Sequence, residues 1–279
     1  MPLQILAPLH THPDGNSPGL AKHLGAVAAH LGAEVNALVL NPAFPPTHSP
    51  FVDAVIDVPG MIAKATAQSK NNEKALLAAI RSVMDQREIS LRISQADYFP
   101  AELTGIVTQA ARYHDLSILG IGDHEARLRD TAEEVLFGAG RPVLLVPEDL
   151  EAGGKFEHVA IAWDGSRVAA RAVGDAGPFL ERATSITVLC VDDEKPLPGP
   201  DIGRRLADQL ARHGYSVHAD TIQTKGQPIA HRLQERALEI GAGMLVMGGF
   251  GHSRMRDFIL GGATGGILRN PRLPVLLSH

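Results

Sequence analysis

Met244-Leu-Val-Met-Gly-Gly-Phe-Gly-His-Ser-Arg-Met-Arg-Asp-Phe-Ile-Leu-Gly-Gly-Ala-Thr264 is an apolar run that empties into glycines. Met244 to Met247 reads as a short, fully buried strand. Gly248, Gly249 and Gly251 follow; Gly261 and Gly262 come later, just ahead of Ala263 and Thr264 at a helix start. A buried strand that passes through glycines into a helix lets backbone N–H groups approach an anion closely, and the helix start favours negative charge. Glycines also serve strand-to-helix turns on backbone grounds alone. The surroundings therefore decide what the stretch means.

On either side of it, apolar strands alternate with helices. In the first half, strands are expected at Ile5 to Leu9, Val35 to Leu40, Ile89 to Ala96, Leu116 to Ile121 and Pro142 to Val146. Helical spacing covers Leu20 to Leu31, Ile62 to Arg87, Leu103 to Tyr113 and Ala126 to Phe137. Asn41 to Pro59 carries five prolines and reads as a loop or insertion, and Glu148 to Lys155 as a polar linker. The order then recurs: strands at His158 to Trp163, Ile186 to Val191, Ser216 to Thr221, Met244 to Met247 and Leu273 to Leu277, with helices at Arg167 to Arg182, Gly203 to His213, Pro228 to about Ile240 and Ala263 to Arg269. Unbroken apolar strands alternating with helices indicate parallel sheets covered on both faces.

Three matches in the same order mark an internal repeat. Leu116-Ser-Ile-Leu-Gly-Ile-Gly122 answers Met244-Leu-Val-Met-Gly-Gly-Phe250, Arg127-Leu-Arg-Asp130 answers Arg254-Met-Arg-Asp257, and Arg141-Pro-Val-Leu-Leu145 answers Leu273-Pro-Val-Leu-Leu277. The expected fold class is α/β: two tandem copies of a five-stranded, parallel, doubly wound (Rossmann-like) domain, residues 1–150 and 151–279. The copies differ where ligand chemistry belongs. The first is five residues shorter about where Gly261 to Gly265 stand, and it places Asp123 and His124 after its fourth strand. A carboxylate there would repel an anion. The first strand of the second copy ends in Asp164-Gly-Ser166, against Leu9-His10-Thr11 in the first.

Composition bounds the function. A chain of 279 residues suits two domains, and 44% hydrophobic with 20% charged residues is ordinary for a soluble globular protein. A net charge of −5 speaks against a nucleic-acid binder. No apolar run approaches the roughly 20 residues of a membrane span. The first residues lack the basic start of a signal peptide. With one cysteine, Cys190, set in an apolar run as a core thiol, the expectation is a cytoplasmic protein. No Ser-His-Asp set, nucleophile elbow or Walker lysine occurs, so no enzyme is expected. His10-x-His12 and Asp192-Asp193 lack further ligands at metal spacing. Arg254 and Arg256 have copies at Arg127 and Arg129, which favours a structural or solvated role, and His252 reads as a turn residue.

The chain resembles the universal stress protein family in its tandem form. The resemblance rests on Gly-x2-Gly-x9-Gly at Gly248, Gly251 and Gly261, on Trp163-Asp164-Gly-Ser166, on Gly226-Gln-Pro228 and on the closing Pro-Val-Leu-Leu277. Gly262 stands where the family pattern has Ser or Thr. The resemblance implies an adenine-nucleotide site in the second domain, for ATP or its AMP/ADP products, with or without Mg²⁺. It is formed by Asp164, Val191, Met247, Gly248, Gly251, Gly261, Gly262, Ala263 and Thr264. Asp164 would contact the nucleoside, Val191 would lie near the adenine, and the loop and helix start would hold phosphate. It also implies a stress-response sensor or regulator that forms a homodimer or an internal pseudo-dimer of its two domains. The alternative is a nucleotide-free assembly module that pairs through its final strands, Val143 to Val146 and Val275 to Leu277. Asp164 could equally cap the helix after Gly165.

Overall fold

A computed structural model describes residues 1–44, 57–122, 126–150, 155–250 and 262–279. Gly251, Gly261, His252, Arg254, Arg256, Asp123 and His124 lie outside the described residues, as does most of the proline-rich stretch.

The first half runs β1 (Gln4–His10), α1 (Leu20–Leu31), β2 (Glu34–Pro42), α2 (Val58–Gln86), β3 (Leu91–Tyr98), α3 (Leu103–Ala111), β4 (Leu116–Ile121), α4 (Ala126–Gly138) and β5 (Val143–Pro147). The second runs β6 (His158–Ala162), α5 (Arg167–Asp175), α6 (Gly177–Leu180), β7 (Ser185–Val191), α7 (Ile202–Arg212), β8 (Val217–Ile222), α8 (Ile229–Glu239), β9 (Met244–Gly248), α9 (Ala263–Arg269) and β10 (Val275–Ser278). Two helices differ from the sequence reading. α2 starts at Val58, not Ile62: Asp57 caps it by accepting from Gly60 N at 2.9 Å, and Pro59 sits in the first turn, where its missing N–H costs nothing. The expected helix Arg167 to Arg182 is broken into α5 and α6 by Gly177-Pro178, because a proline ring restarts a helix rather than continuing it.

All ten strands join one sheet in the order β3-β2-β1-β4-β5-β10-β9-β6-β7-β8. Within each half the pairs are parallel. The halves meet through one antiparallel pair, with Val275 opposite Leu145, Leu276 opposite Leu144 and Leu277 opposite Val143. Successive side chains leave opposite faces of a strand. Ile5, Ala7 and Leu9 accordingly enter one core, which α1, α2, α5, α6 and α7 cover. Leu6 enters the other, beneath α3, α4, α8 and α9. Both cores run through the two halves, which explains strands that are apolar at every position. No helix among the described residues is long and apolar enough to cross a membrane.

Each half has the strand order 3-2-1-4-5 in its own count. The order reverses between β1 and β4 in the first half and between β6 and β9 in the second. The crevice beyond the carboxyl ends of the strands at such a reversal is where open α/β sheets bind ligands.

Candidate functional site

In the second half the reversal is bordered by Asp164, just past β6, and Gly248, the last residue of β9. Val191 ends the next strand, β7. Three neighbouring strands thus bring Met247, Gly248, Asp164 and Val191 to one edge of the sheet. Met247 and Val191 are buried in the core beneath α8 and α9. Gly262, Ala263 and Thr264 open α9.

Asp164 is not the cap of α5. Ser166 holds that position, accepting from Ala169 N at 3.2 Å. Asp164 instead accepts from Ser166 N at 2.9 Å, which turns the chain out of the strand. Its second oxygen accepts from Lys195 Nζ at 2.7 Å. Burial pushes its carboxyl up, but Lys195 and the Ser166 bonds outweigh that and hold it below the usual aspartate value. The sequence reading missed Lys195, which lies 31 positions away in an irregular segment after β7; no local pattern marks it.

The glycines of the stretch divide by role. A Cβ on Gly248 would come within 2.6 Å of Ala169 N and Val168 C, so its bareness admits the first turn of α5 against the strand end. A Cβ on Gly249 would strike Leu136 of α4 at 2.6 Å. Gly262 differs: it caps α9 in an extended conformation, and among the described residues a Cβ there would meet nothing within 4 Å and no side chain caps the helix. Thr264 is buried, and its hydroxyl accepts from Phe250 N at 3.0 Å, bracing the segment that leaves β9 while keeping its own proton to donate. Phe250 has φ +50, in the left-handed region a bulky side chain rarely enters.

The first half has a different arrangement at its reversal. The Glu148 carboxylate is buried directly on Gly120 at the end of β4. One oxygen accepts from Asn16 Nδ2 at 2.5 Å, the other from Ser17 N at 2.6 Å, just ahead of α1. Asn16 Oδ1 in turn accepts from His10 N at 2.7 Å. Beside this, Thr11 donates to Leu40 O at 2.8 Å and shares a 2.7 Å bond with Ser69 of α2. At this reversal the chain's own polar groups thus bond to one another. Glu148, read from the sequence as linker, is part of the packed interior, because its partners lie more than 130 positions away.

Cys190 is buried, and burial, with the Asp164 charge, pushes its thiol up to about 11, which leaves an inert core sulfur. No group of three metal-ligating side chains occurs among the described residues.

Compared with known proteins, residues 155–279 match the model of the universal stress protein family. A universal stress protein from Archaeoglobus fulgidus aligns over 99% of this chain and 96% of its own, at 18% identity and a TM-score of 0.72. A protein from Pseudomonas aeruginosa solved under the same family name covers 99% of this chain and 92% of its own, at 17% identity and a TM-score of 0.58. A universal stress protein in complex with cAMP aligns over 44% of this chain and 97% of its own, at 23% identity and a TM-score of 0.36. No curated protein matches the chain in sequence. At these identities the full-length likenesses speak for the fold of both halves, and the family match for the second: the chain carries a universal stress protein domain over residues 155–279, within a whole-chain fold shared with solved members of that family.

Proposed function

We propose that the second half binds an adenine nucleotide, ATP or its AMP/ADP products, at the reversal between β6 and β9, and that occupancy biases the chain's conformation as part of a stress response. The observation that carries this reading is the contrast between the two reversals. Glu148 fills the first, whereas in the second Asp164, Val191, Met247 and Gly248 line the strand ends and Gly262 adds no side chain. Asp164, kept ionised, accepts from ribose or adenine donors. The apolar floor of Met247 and Val191 suits a base. Thr264 has a hydroxyl proton to give, and the first N–H groups of a helix have no partner within it. Lys195 supplies a cation at the rim, and a nucleotide carrying Mg²⁺ would need few protein ligands. The role is binding, with hydrolysis at most slow, since Asp164, the carboxylate at the site, is committed to Ser166 N and Lys195.

A second reading concerns assembly. The β5–β10 pair uses the two edges through which separate copies would join, so the chain is proposed to be its own internal pseudo-dimer. Calorimetric titration of the purified protein with ATP tests the nucleotide reading. One site per chain is expected, weakened by Asp164→Ala. Absence of heat and of retained nucleotide at millimolar ATP would overturn it.

A further inference from the structure

We infer that α4 of the first half is a positioning element for the nucleotide site of the second, acting through Phe137 on Gly249 and Phe250; this rests on the nucleotide reading above. The end of β9 is held from three sides. From the first half, Leu136 packs where a side chain on Gly249 would stand, and the Phe137 ring lies 4.7 Å from the Phe250 ring. From β10 and the residue after it, Ser278 O accepts from Gly249 N at 2.7 Å, and His279 Nδ1 donates to Gly249 O at 3.0 Å. The His279 ring also packs edge-on against Phe137, 4.8 Å between centroids. From α9, the Thr264 hydroxyl accepts from Phe250 N.

Phe250 therefore sits in an unfavourable backbone conformation with its ring and its N–H both committed. A bulky residue at positive φ persists only where its surroundings over-determine it. The ring that packs against Phe250 among the described residues, Phe137, comes from the first half. Gly248, one residue before this clamp, and Thr264, bonded into it, both belong to the proposed site. A shift of Phe250 moves both. The first half then does more than complete the sheet: it sets the angle at which β9 delivers its last residues to the ligand. Phe137 is half-buried, so truncating it opens little of the core.

The test is ATP titration of Phe137→Ala and Phe137→Leu in the full chain, together with amide hydrogen exchange of Gly249 and Phe250 without nucleotide. The expected result is a Kd raised about threefold to tenfold by Phe137→Ala, the span of one aromatic pair, with partial rescue by Phe137→Leu and faster exchange at both amides. Unchanged affinity in Phe137→Ala, whether or not exchange quickens, overturns the positioning role while leaving the nucleotide reading intact. A wild-type chain that takes no nucleotide overturns that reading and this role with it. Phe137→Ala that fails to fold is replaced by Phe137→Leu alone, for which wild-type affinity and wild-type exchange together overturn the inference.

Discussion

The two reversals of strand order are built from the same parts and end differently. Each has a first strand, a following helix start and a fourth strand with a glycine at or next to its last position. In the first half a carboxylate from beyond β5 sits on that glycine and draws its donors from the approach to α1. In the second the helix backbone itself rests on the glycine, and no carboxylate occupies that place among the described residues. One fold thus accommodates both arrangements: the first half places its own carboxylate on the strand-end glycine, the second half the backbone of a helix. That carboxylate satisfies the buried Asn16 Nδ2 and the half-buried Ser17 N, so it is structural where it stands.

The largest expected effect follows from that dual role. Glu148→Leu leaves Asn16 Nδ2 and Ser17 N without acceptors and should cost about 3 kcal/mol in urea unfolding. Asp164→Asn, at the matching edge of the second half, should cost under about 1 kcal/mol, since its pair with Lys195 is partly exposed to solvent and Asn keeps an acceptor for Ser166 N. If the two cost the same, the contrast between a filled and a ligand-directed crevice fails. Next comes glycine. Gly248→Ala forces a Cβ against helix backbone and should lose about 2 kcal/mol, whereas Gly262→Ala, in open space at negative φ, should stay within about 0.5 kcal/mol of wild type.

Two smaller predictions concern pH. Asp164 has a folded-state pKa below its unfolded one, so its contribution is present above the usual value of 3.8 and vanishes as pH falls through the lower folded value. The stability gap between wild type and Asp164→Asn should therefore be flat at neutral pH and close only in strong acid. His30 packs against Phe156 and Phe179 where the halves meet; burial, then the Arg182 charge, lowers its pKa, while Glu157 opposes them. Its sign is also that of a depressed group: the stability it contributes is whole above 6.5 and declines as pH drops below that value. His30→Phe should flatten the slope of unfolding free energy between neutral and mildly acid pH; an unchanged slope would clear His30 of the effect and leave His23 and His158, also lowered chiefly by burial, to account for it. The smallest effect is expected of Gly262→Ser, which adds a capping hydroxyl to α9 and should gain a few tenths of a kcal/mol in thermal unfolding. Tighter ATP in the same variant would tie the missing hydroxyl to the ligand.

How much of this was legible in the sequence depended on range. Strands such as Leu116 to Ile121, buried on both faces, and helices with a clear apolar stripe announce themselves within a few residues. The repeat was visible because Pro-Val-Leu-Leu recurs with its glycine-ended strand. The break at Gly177-Pro178 was locally readable too, but the apolar period continues across it and hides it. Glu148 and Lys195 were not legible. A charge in a polar stretch looks solvated until the fold brings distant partners to it, as Asn16 and Ser17 are brought to one and Asp164 to the other. The packing tasks of Gly248 and Gly249 were hidden for the same reason, since Val168 and Leu136 lie far along the chain.

The antiparallel pair of β5 and β10 also fixes stoichiometry. Two separate chains meeting at these edges would part on dilution and could exchange partners. Strands tethered in one polypeptide meet instead at an effective concentration set by their connection, independent of how much protein is present. Every molecule then carries both reversals of strand order, one in each half, in a single sheet across a shared seam, whatever the abundance of the chain.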